Sequence, residues 1–199
     1  MESLNHTLFL WINAPADASA TTVWLAMAFA EYAIWLVPLT LVAGWLWGEP
    51  TTRRQALQTG VAAALALSIN VGFGLAWYHP RPFAIDLGTN LLPHAPDSSF
   101  PSDHLTALWT VAFSLMWNAR LRRAGVLLAL LGVPMAWARI YLGVHYPFDM
   151  LGAAAVSALS AWLCSGPVAH TLSEPLHRLG LALHGVVLAP CVRRGWVRK

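Results

Sequence analysis

Charge is what this chain has least of. Of 199 residues only 11% are Asp, Glu, Lys or Arg, 57% are hydrophobic, and the mean hydropathy is +0.55. A water-soluble domain carries roughly 25% charged residues, so the composition excludes a globule clothed in charge and indicates a chain solvated by lipid. Cysteine is nearly absent. Cys164 and Cys191 show neither metal-ligand spacing nor a disulfide framework, and both are read as inert. The opening residues contain no Lys or Arg, so the positive region of a cleavable signal peptide is not expected. The net charge of +3 would suit nucleic acid if it lined one face. Instead the basic residues fall in three short clusters between apolar stretches, which is a topology signal, and no nucleic-acid partner is expected. No internal repeat, low-complexity tract or second domain is visible, so residues 1–199 are read as a single integral membrane domain.

What is present is long apolar sequence. Five spans are expected, at about Thr22–Leu46, Gln55–Trp77, Ser102–Trp117, Ala124–Leu142 and Pro147–Ser165, most of them near the ~20 residues that a crossing requires. The fold class is therefore all-α, a polytopic transmembrane helix bundle of about five spans. The third span is short, which places its polar start in a cavity below the membrane surface rather than in lipid. Leu4, Leu8, Trp11 and Ile12 have helical spacing and predict an N-terminal interfacial helix. The segment Leu179–Val192 is apolar but short and is interrupted by His184 and Pro190. It is read as interfacial, with a sixth span as the alternative. Trp77, Tyr141 and Tyr146 are read as interface anchors.

Three polar islands interrupt the apolar sequence: His79-Pro80-Arg81-Pro82-Phe83, Phe100-Pro101-Ser102-Asp103-His104, and Arg139 through His145 to Asp149. A charge at membrane depth costs at least ~2.5–3.5 kcal/mol on insertion scales and marks function by default. In the five-span arrangement ten of the twelve basic residues fall on one side, at Arg53–Arg54, Arg120–Arg123 and from Arg178 into the tail of residues 166–199. That side is expected to be cytoplasmic. Arg81 and Arg139 are the other two, and all three islands then share the opposite level.

The islands hold a kit for phosphoryl transfer. His145 and Asp149 are four apart at a helix start and share a face. A carboxylate on one ring nitrogen fixes the tautomer and leaves the other with a free lone pair, able to attack phosphorus. Arg81 and Arg139 can hold phosphoryl oxygens by bidentate bonds. Ser102 stands at an N-cap position, where its hydroxyl and the free amides of the next turn can do the same. His104 can protonate a leaving oxygen and later deprotonate water. Two guanidiniums supply the positive charge, so neither metal nor cofactor is required. Glu31 is read as a buried acid, either paired with an active-site Arg or His or bonded to a neighbouring helix. His79 and His94 flank the site in sequence, where a loop role is the plainer reading. The loop Tyr78–Pro101 is long enough to serve as a lid.

The three islands resemble the signature motifs of the type 2 phosphatidic acid phosphatase superfamily: a Lys, six residues and Arg-Pro; Pro-Ser-Gly-His; and Ser-Arg, five residues, His, three residues and Asp. Arg81-Pro82, Pro101-Ser102-Asp103-His104 and Arg139…His145…Asp149 match in order and spacing. The family's Lys is Gly74 here, its motif-two Gly is Asp103, and its motif-three Ser is Ala138. His79 is a candidate for partly replacing the lost cation. The Asp form of motif two, the Arg-Pro-Phe, and the opening Leu-Asn-His-Thr-Leu-Phe-Leu-Trp are similar to the bacterial undecaprenyl-diphosphatase branch associated with bacitracin resistance. The resemblance implies a hydrolase of the bacterial inner membrane, active on its periplasmic side, that regenerates the cell-wall lipid carrier from its diphosphate. It implies His145 as nucleophile, Asp149 as its partner and His104 as acid/base. Arg81, Ser102 and Arg139 would bind phosphate, with Asp103 counted in that set. Other lipid phosphates, a lipid phosphotransferase and a non-enzymatic polyprenyl-phosphate carrier are the competing readings, and oligomeric state is left open.

Overall fold

The computed structural model describes residues 1–198, and among them the ordered elements are all helical. Lys199, the end of the expected basic tail, lies outside the described residues. The elements are α1 (Glu2–Ile12), α2 (Ala20–Met27), α3 (Leu36–Trp47), α4 (Pro50–Ala76), α5 (Asp103–Met116), α6 (Arg122–Tyr141), α7 (Pro147–Leu163), α8 (Pro167–Val187) and α9 (Ala189–Arg193). Proline opens α4, α7 and α8 at the first helical position, where its missing N–H costs nothing and its φ is already helical.

Three helical stretches are long and apolar enough to cross a membrane: Ala20–Trp47, α4 and α6. The shorter α7 is also apolar. Within Ala20–Trp47, α2 and α3 are joined by a π-helical turn over Ala28–Tyr32 and a 3-10 turn over Ala33–Trp35, a break that sequence periodicity does not reveal. Helix α5 has 14 residues, about 21 Å of helix against the ~30 Å of a bilayer core. It sits in the middle of the bundle, packed against α4, α6 and α7, with most of its residues buried. Its shortness is thus covered by its neighbours. Polar contacts fasten it there: Asn70 Nδ2 donates to Thr106 Oγ1 at 3.0 Å, and Ser157 Oγ donates to the Thr106 carbonyl at 2.9 Å. Such inter-helix bonds hold membrane bundles together where lipid provides no hydrophobic drive.

The C-terminal region departs from expectation in its boundaries. The stretch Leu179–Val192, expected to be interfacial, forms the second half of a 21-residue helix, α8, that begins at Pro167 and ends at Val187, and runs on into α9. Helix α8 does not rank with the three long apolar crossings. It lies across the ends of α3 and α4, where Arg54 pairs with Glu174, Gln58 bonds His170 at 2.7 Å, and Trp45 meets His177 and His184 edge-on. The same end collects Arg120, paired with Glu49 at 2.7 Å, and Arg198, whose N–H donates to Leu46. The basic clusters therefore share one end, and the polar islands share the other.

Close approach of α5 and α6 depends on Gly132. A Cβ there would fall 2.1 Å from Trp109 Nε1, which donates to the Ala129 carbonyl. Gly132→Ala should cost ~1–3 kcal/mol by overpacking, read as a lowered thermal midpoint of detergent-purified protein. An unchanged midpoint would contradict this packing.

Candidate active site

The islands converge on His145. It lies in the turn between α6 and α7 and is 1% exposed. That turn is fixed by Gly143, whose φ of 85° is left-handed and whose absent Cβ would strike the Thr89 carbonyl at 2.2 Å. Only glycine suits both conditions. Asp149, at the third position of α7, accepts the Tyr146 N–H at 2.8 Å, so one carboxylate oxygen closes the helix start and also receives His145. Oδ2 is 3.1 Å from His145 Nδ1. Ser99 Oγ donates to the same Oδ2 and stands 3.4 Å from Nδ1. Nδ1 is thereby the protonated nitrogen, and Nε2 carries the lone pair.

Nε2 faces two guanidiniums, with Arg81 Nη1 at 3.1 Å and Arg139 Nη2 at 3.4 Å. Both arginines are buried, and each is oriented by its other bonds. Arg81 donates from Nε to Asp97 at 2.7 Å, from Nη1 to the Val144 carbonyl at 2.9 Å and from Nη2 to the Ser98 carbonyl at 3.3 Å. Arg139 donates from Nη1 to the Ala30 carbonyl at 3.3 Å, inside the π turn of the first span. Its Nε is buried without a partner. Burial, then the charges of Arg139 and Arg81, hold the His145 imidazole well below its ordinary pKa.

Ser102 occupies the N-cap position of α5, but its hydroxyl makes no cap bond and is left buried and unpartnered. The expectation that it both caps and binds reduces to an oxygen free for a ligand, beside the open amides of α5. His104 in the first turn is half-buried and forms no side-chain hydrogen bond among the described residues, within electrostatic reach of Arg139, His94 and Arg81. Asp103 is exposed, and its carboxylate accepts from Asn70 at 2.8 Å. A carboxylate accepts hydrogen bonds only, so its means of meeting phosphate is its main-chain N–H.

Other sequence candidates are placed differently. Glu31 lies in the π turn but is exposed, so it is not a buried acid. It stands within electrostatic reach of Arg139. His79 bonds Glu2 at 3.0 Å and packs edge-on against Tyr146, and among the described residues its side chain forms no hydrogen bond to Arg81 or Arg139. Tyr146 and Tyr141 are buried rather than interfacial: Tyr146 packs on Phe9, and Tyr141 lies beside Trp137. Trp77 is exposed, as an anchor requires. The 78–101 loop is tied down at Ser99 N–H to the His79 carbonyl, at Leu91 N–H to the Leu142 carbonyl, and by Asn13, which brackets Thr89 through both its N–H and its carbonyl. Ser99, Asp97 and the Ala30 carbonyl were not anticipated. A loop serine has no periodic signature, and only adjacency to motif two could have flagged it. Among the described residues, no group of three or more His, Cys, Asp or Glu side chains is placed to hold a metal ion.

A buried, carboxylate-backed histidine beneath two arginines, built into a membrane helix bundle, has the form of a membrane phosphatase site. The chain belongs to the PAP2 superfamily, which it matches over residues 55–168. It is 39% identical over 201 residues to YbjG of Escherichia coli (strain K12), a protein that carries the undecaprenyl-diphosphatase name provisionally, covering 100% of this chain and 99% of that one. It is 32% identical to undecaprenyl-diphosphatase BcrC of Bacillus subtilis (strain 168), covering 80% of this chain and 82% of that one. Its fold is shared with the crystal structure of Aquifex aeolicus LpxE, with a TM-score of 0.65 at 23% identity over 81% of this chain and 94% of that one. It is also shared with the transmembrane PAP2-type phosphatidylglycerolphosphate phosphatase of Bacillus subtilis, with a TM-score of 0.60 at 18% identity over 83% and 84%.

Two outcomes follow from the geometry. Ser99→Ala removes a hydrogen bond to a charged group, a loss of ~1.5–3 kcal/mol, and should slow turnover roughly 10- to 100-fold; wild-type turnover would show that Ser99 is not part of the His145 support. A lowered His145 pKa keeps the ring neutral into acid, so the acid limb of kcat/KM should lie below ~6.5, the ordinary imidazole value. A limb at or above that value would contradict the described environment.

Proposed function

We propose that this protein removes the terminal phosphate of undecaprenyl diphosphate, giving undecaprenyl phosphate and inorganic phosphate. The observation that carries the reading is the His145 ring, with Nδ1 on Asp149 and Nε2 between Arg81 and Arg139. The names of the relatives YbjG and BcrC point to the diphosphate. Positioning and charge stabilisation are most of what phosphoryl transfer needs.

In the proposed reaction the two guanidiniums turn from Nε2 to the oxygens of the terminal phosphoryl group, and Ser102 with the α5 amides adds neutral donors. The freed Nε2 lone pair attacks phosphorus. The bond to the bridging oxygen breaks, and that oxygen takes a proton from His104. Asp149 stabilises the positive ring that forms, and a phosphohistidine results. His104, now neutral, accepts a proton from water as it attacks phosphorus, and phosphate leaves with its electron pair restored to Nε2. The charge rule supports a cytoplasmic basic end, with the site at the outer face of a bacterial inner membrane. A reporter fused after the tail should therefore read as cytoplasmic; a periplasmic signal would invert the topology.

A phosphomonoester substrate is the second reading, favoured by 34% identity to decaprenylphosphoryl-5-phosphoribose phosphatase of Mycolicibacterium smegmatis over 57% of this chain. The test is phosphate release by purified protein from undecaprenyl diphosphate in chelator, beside His145→Ala. Turnover in the wild type and none in the variant is expected. A strict metal requirement would contradict the mechanism, and no turnover of this lipid would move the substrate to a monoester. Label transferred to a second lipid instead of water would make the protein a phosphotransferase.

A further inference from the structure

The proposed mechanism makes no use of the imidazole of His94. His94 sits in the loop facing the motifs, its ring centroid 6.4 Å from that of His145 at an interplanar angle of 72°. Its position is built. Leu91 N–H is bonded to the Leu142 carbonyl, Leu92 is buried beside it, and Asp97 is held by Arg81 at 2.7 Å. His94 Nδ1 lies 3.1 Å from the Ala95 carbonyl and 3.7 Å from Asp97 Oδ1. Both are acceptors, so Nδ1 bears the proton and Nε2 is the open nitrogen. Among the described residues Nε2 has no hydrogen-bond partner.

The charges around it define a need. Arg81 and Arg139 are the fixed cations of the site; Asp97 is bonded to Arg81, and Asp149 to His145. A monophosphate ester seated on His145 would use both guanidiniums. A diphosphate brings a second phosphate, one bridging oxygen further out, and neither guanidinium is left for it. His104 is committed to the bridging oxygen, which leaves His94 as the group able to gain charge. We propose that His94 binds the inner phosphate of a diphosphate substrate and so selects diphosphates over monophosphate esters. The assignment rests on the reading that His145 receives the terminal phosphoryl group.

Burial and the nearby guanidiniums keep the His94 ring below its ordinary pKa, despite the raising effect of the Ala95 carbonyl and Asp97. An arriving diphosphate reverses that local field. Nε2 then takes a proton from water and donates it as a charge-assisted bond to an inner-phosphate oxygen. The proton returns to water when the products leave, so the reaction's balance is unaltered.

The test is binding rather than turnover. Methylenediphosphonate, which has no cleavable bridging oxygen, and orthophosphate are titrated calorimetrically into purified wild type, His94→Ala and His94→Gln. Wild type should prefer the diphosphonate. His94→Ala should weaken it by about tenfold or more, the worth of one hydrogen bond to a charged group, and orthophosphate by less than about threefold. Retained orthophosphate binding also reports an intact site. His94→Gln keeps an N–H donor without the charge and should fall between. Equal weakening of both anions, weakening of neither, or a wild type without the preference would each overturn the assignment. Intact preference in a wild type that does not turn over undecaprenyl diphosphate would instead sink the proposed substrate and leave His94 as a diphosphate ligand.

Discussion

The buried imidazole of His145, held by a carboxylate on one side and two guanidiniums on the other, is the constraint around which the rest of the structure is arranged. Two like charges side by side in a low-dielectric bundle repel, and each loses its water. They persist because each is given fixed acceptors: Asp97, Val144 and Ser98 for Arg81, and Ala30 for Arg139. The donors that remain, including the unpartnered Arg139 Nε, point to a site that is completed electrostatically by an anion. This is preorganisation in the sense that matters for phosphoryl transfer: the dipoles and charges are in place before the transition-state charge develops.

Holding those acceptors requires parts of the chain far apart in sequence. The π turn of the first span presents the Ala30 carbonyl to α6. Irregular backbone of this kind is tolerated in a membrane where it faces protein, and π turns gather at functional positions. Helix α1 contributes from outside. Its Asn5 accepts the Phe148 N–H at 3.1 Å, one of the open donors at the start of α7, and Asn13 donates to the carbonyls of both Thr89 and Tyr141. The N-terminal helix thus serves as a brace on the loops that carry His94, Ser99 and His145.

The legible part of the site was the part written in helical spacing. His145 and Asp149 at i and i+4, Pro147 opening a helix, and Arg139 near the end of another gave residues, elements and level together. The spans were legible for the same reason, since apolar length is a one-dimensional property. What was not legible depends on facing. A regular helix would bury Glu31, whereas the π turn changes the phase of the span at that residue and leaves it exposed. Tyr146 resembles an interface aromatic in sequence, but α1 covers it, and nothing local announces that contact. Ser99 and Asp97 lie in a loop without period, so their meeting with His145 and Arg81 is a property of the folded chain. The start of α8 at Pro167 is not legible in apolar length, because the helix also carries His170, Glu174 and Arg178.

The most direct test of the central claim is to look for phosphorus on His145. Protein is mixed with substrate labelled in its terminal phosphate, quenched within one turnover, and digested for mass spectrometry. His145→Ala, which lacks the proposed nucleophile, should carry no label. The account predicts an acid-labile, alkali-stable label on His145. Label on another residue, or single-turnover cleavage by the wild type with no labelled protein at any time point, would contradict it.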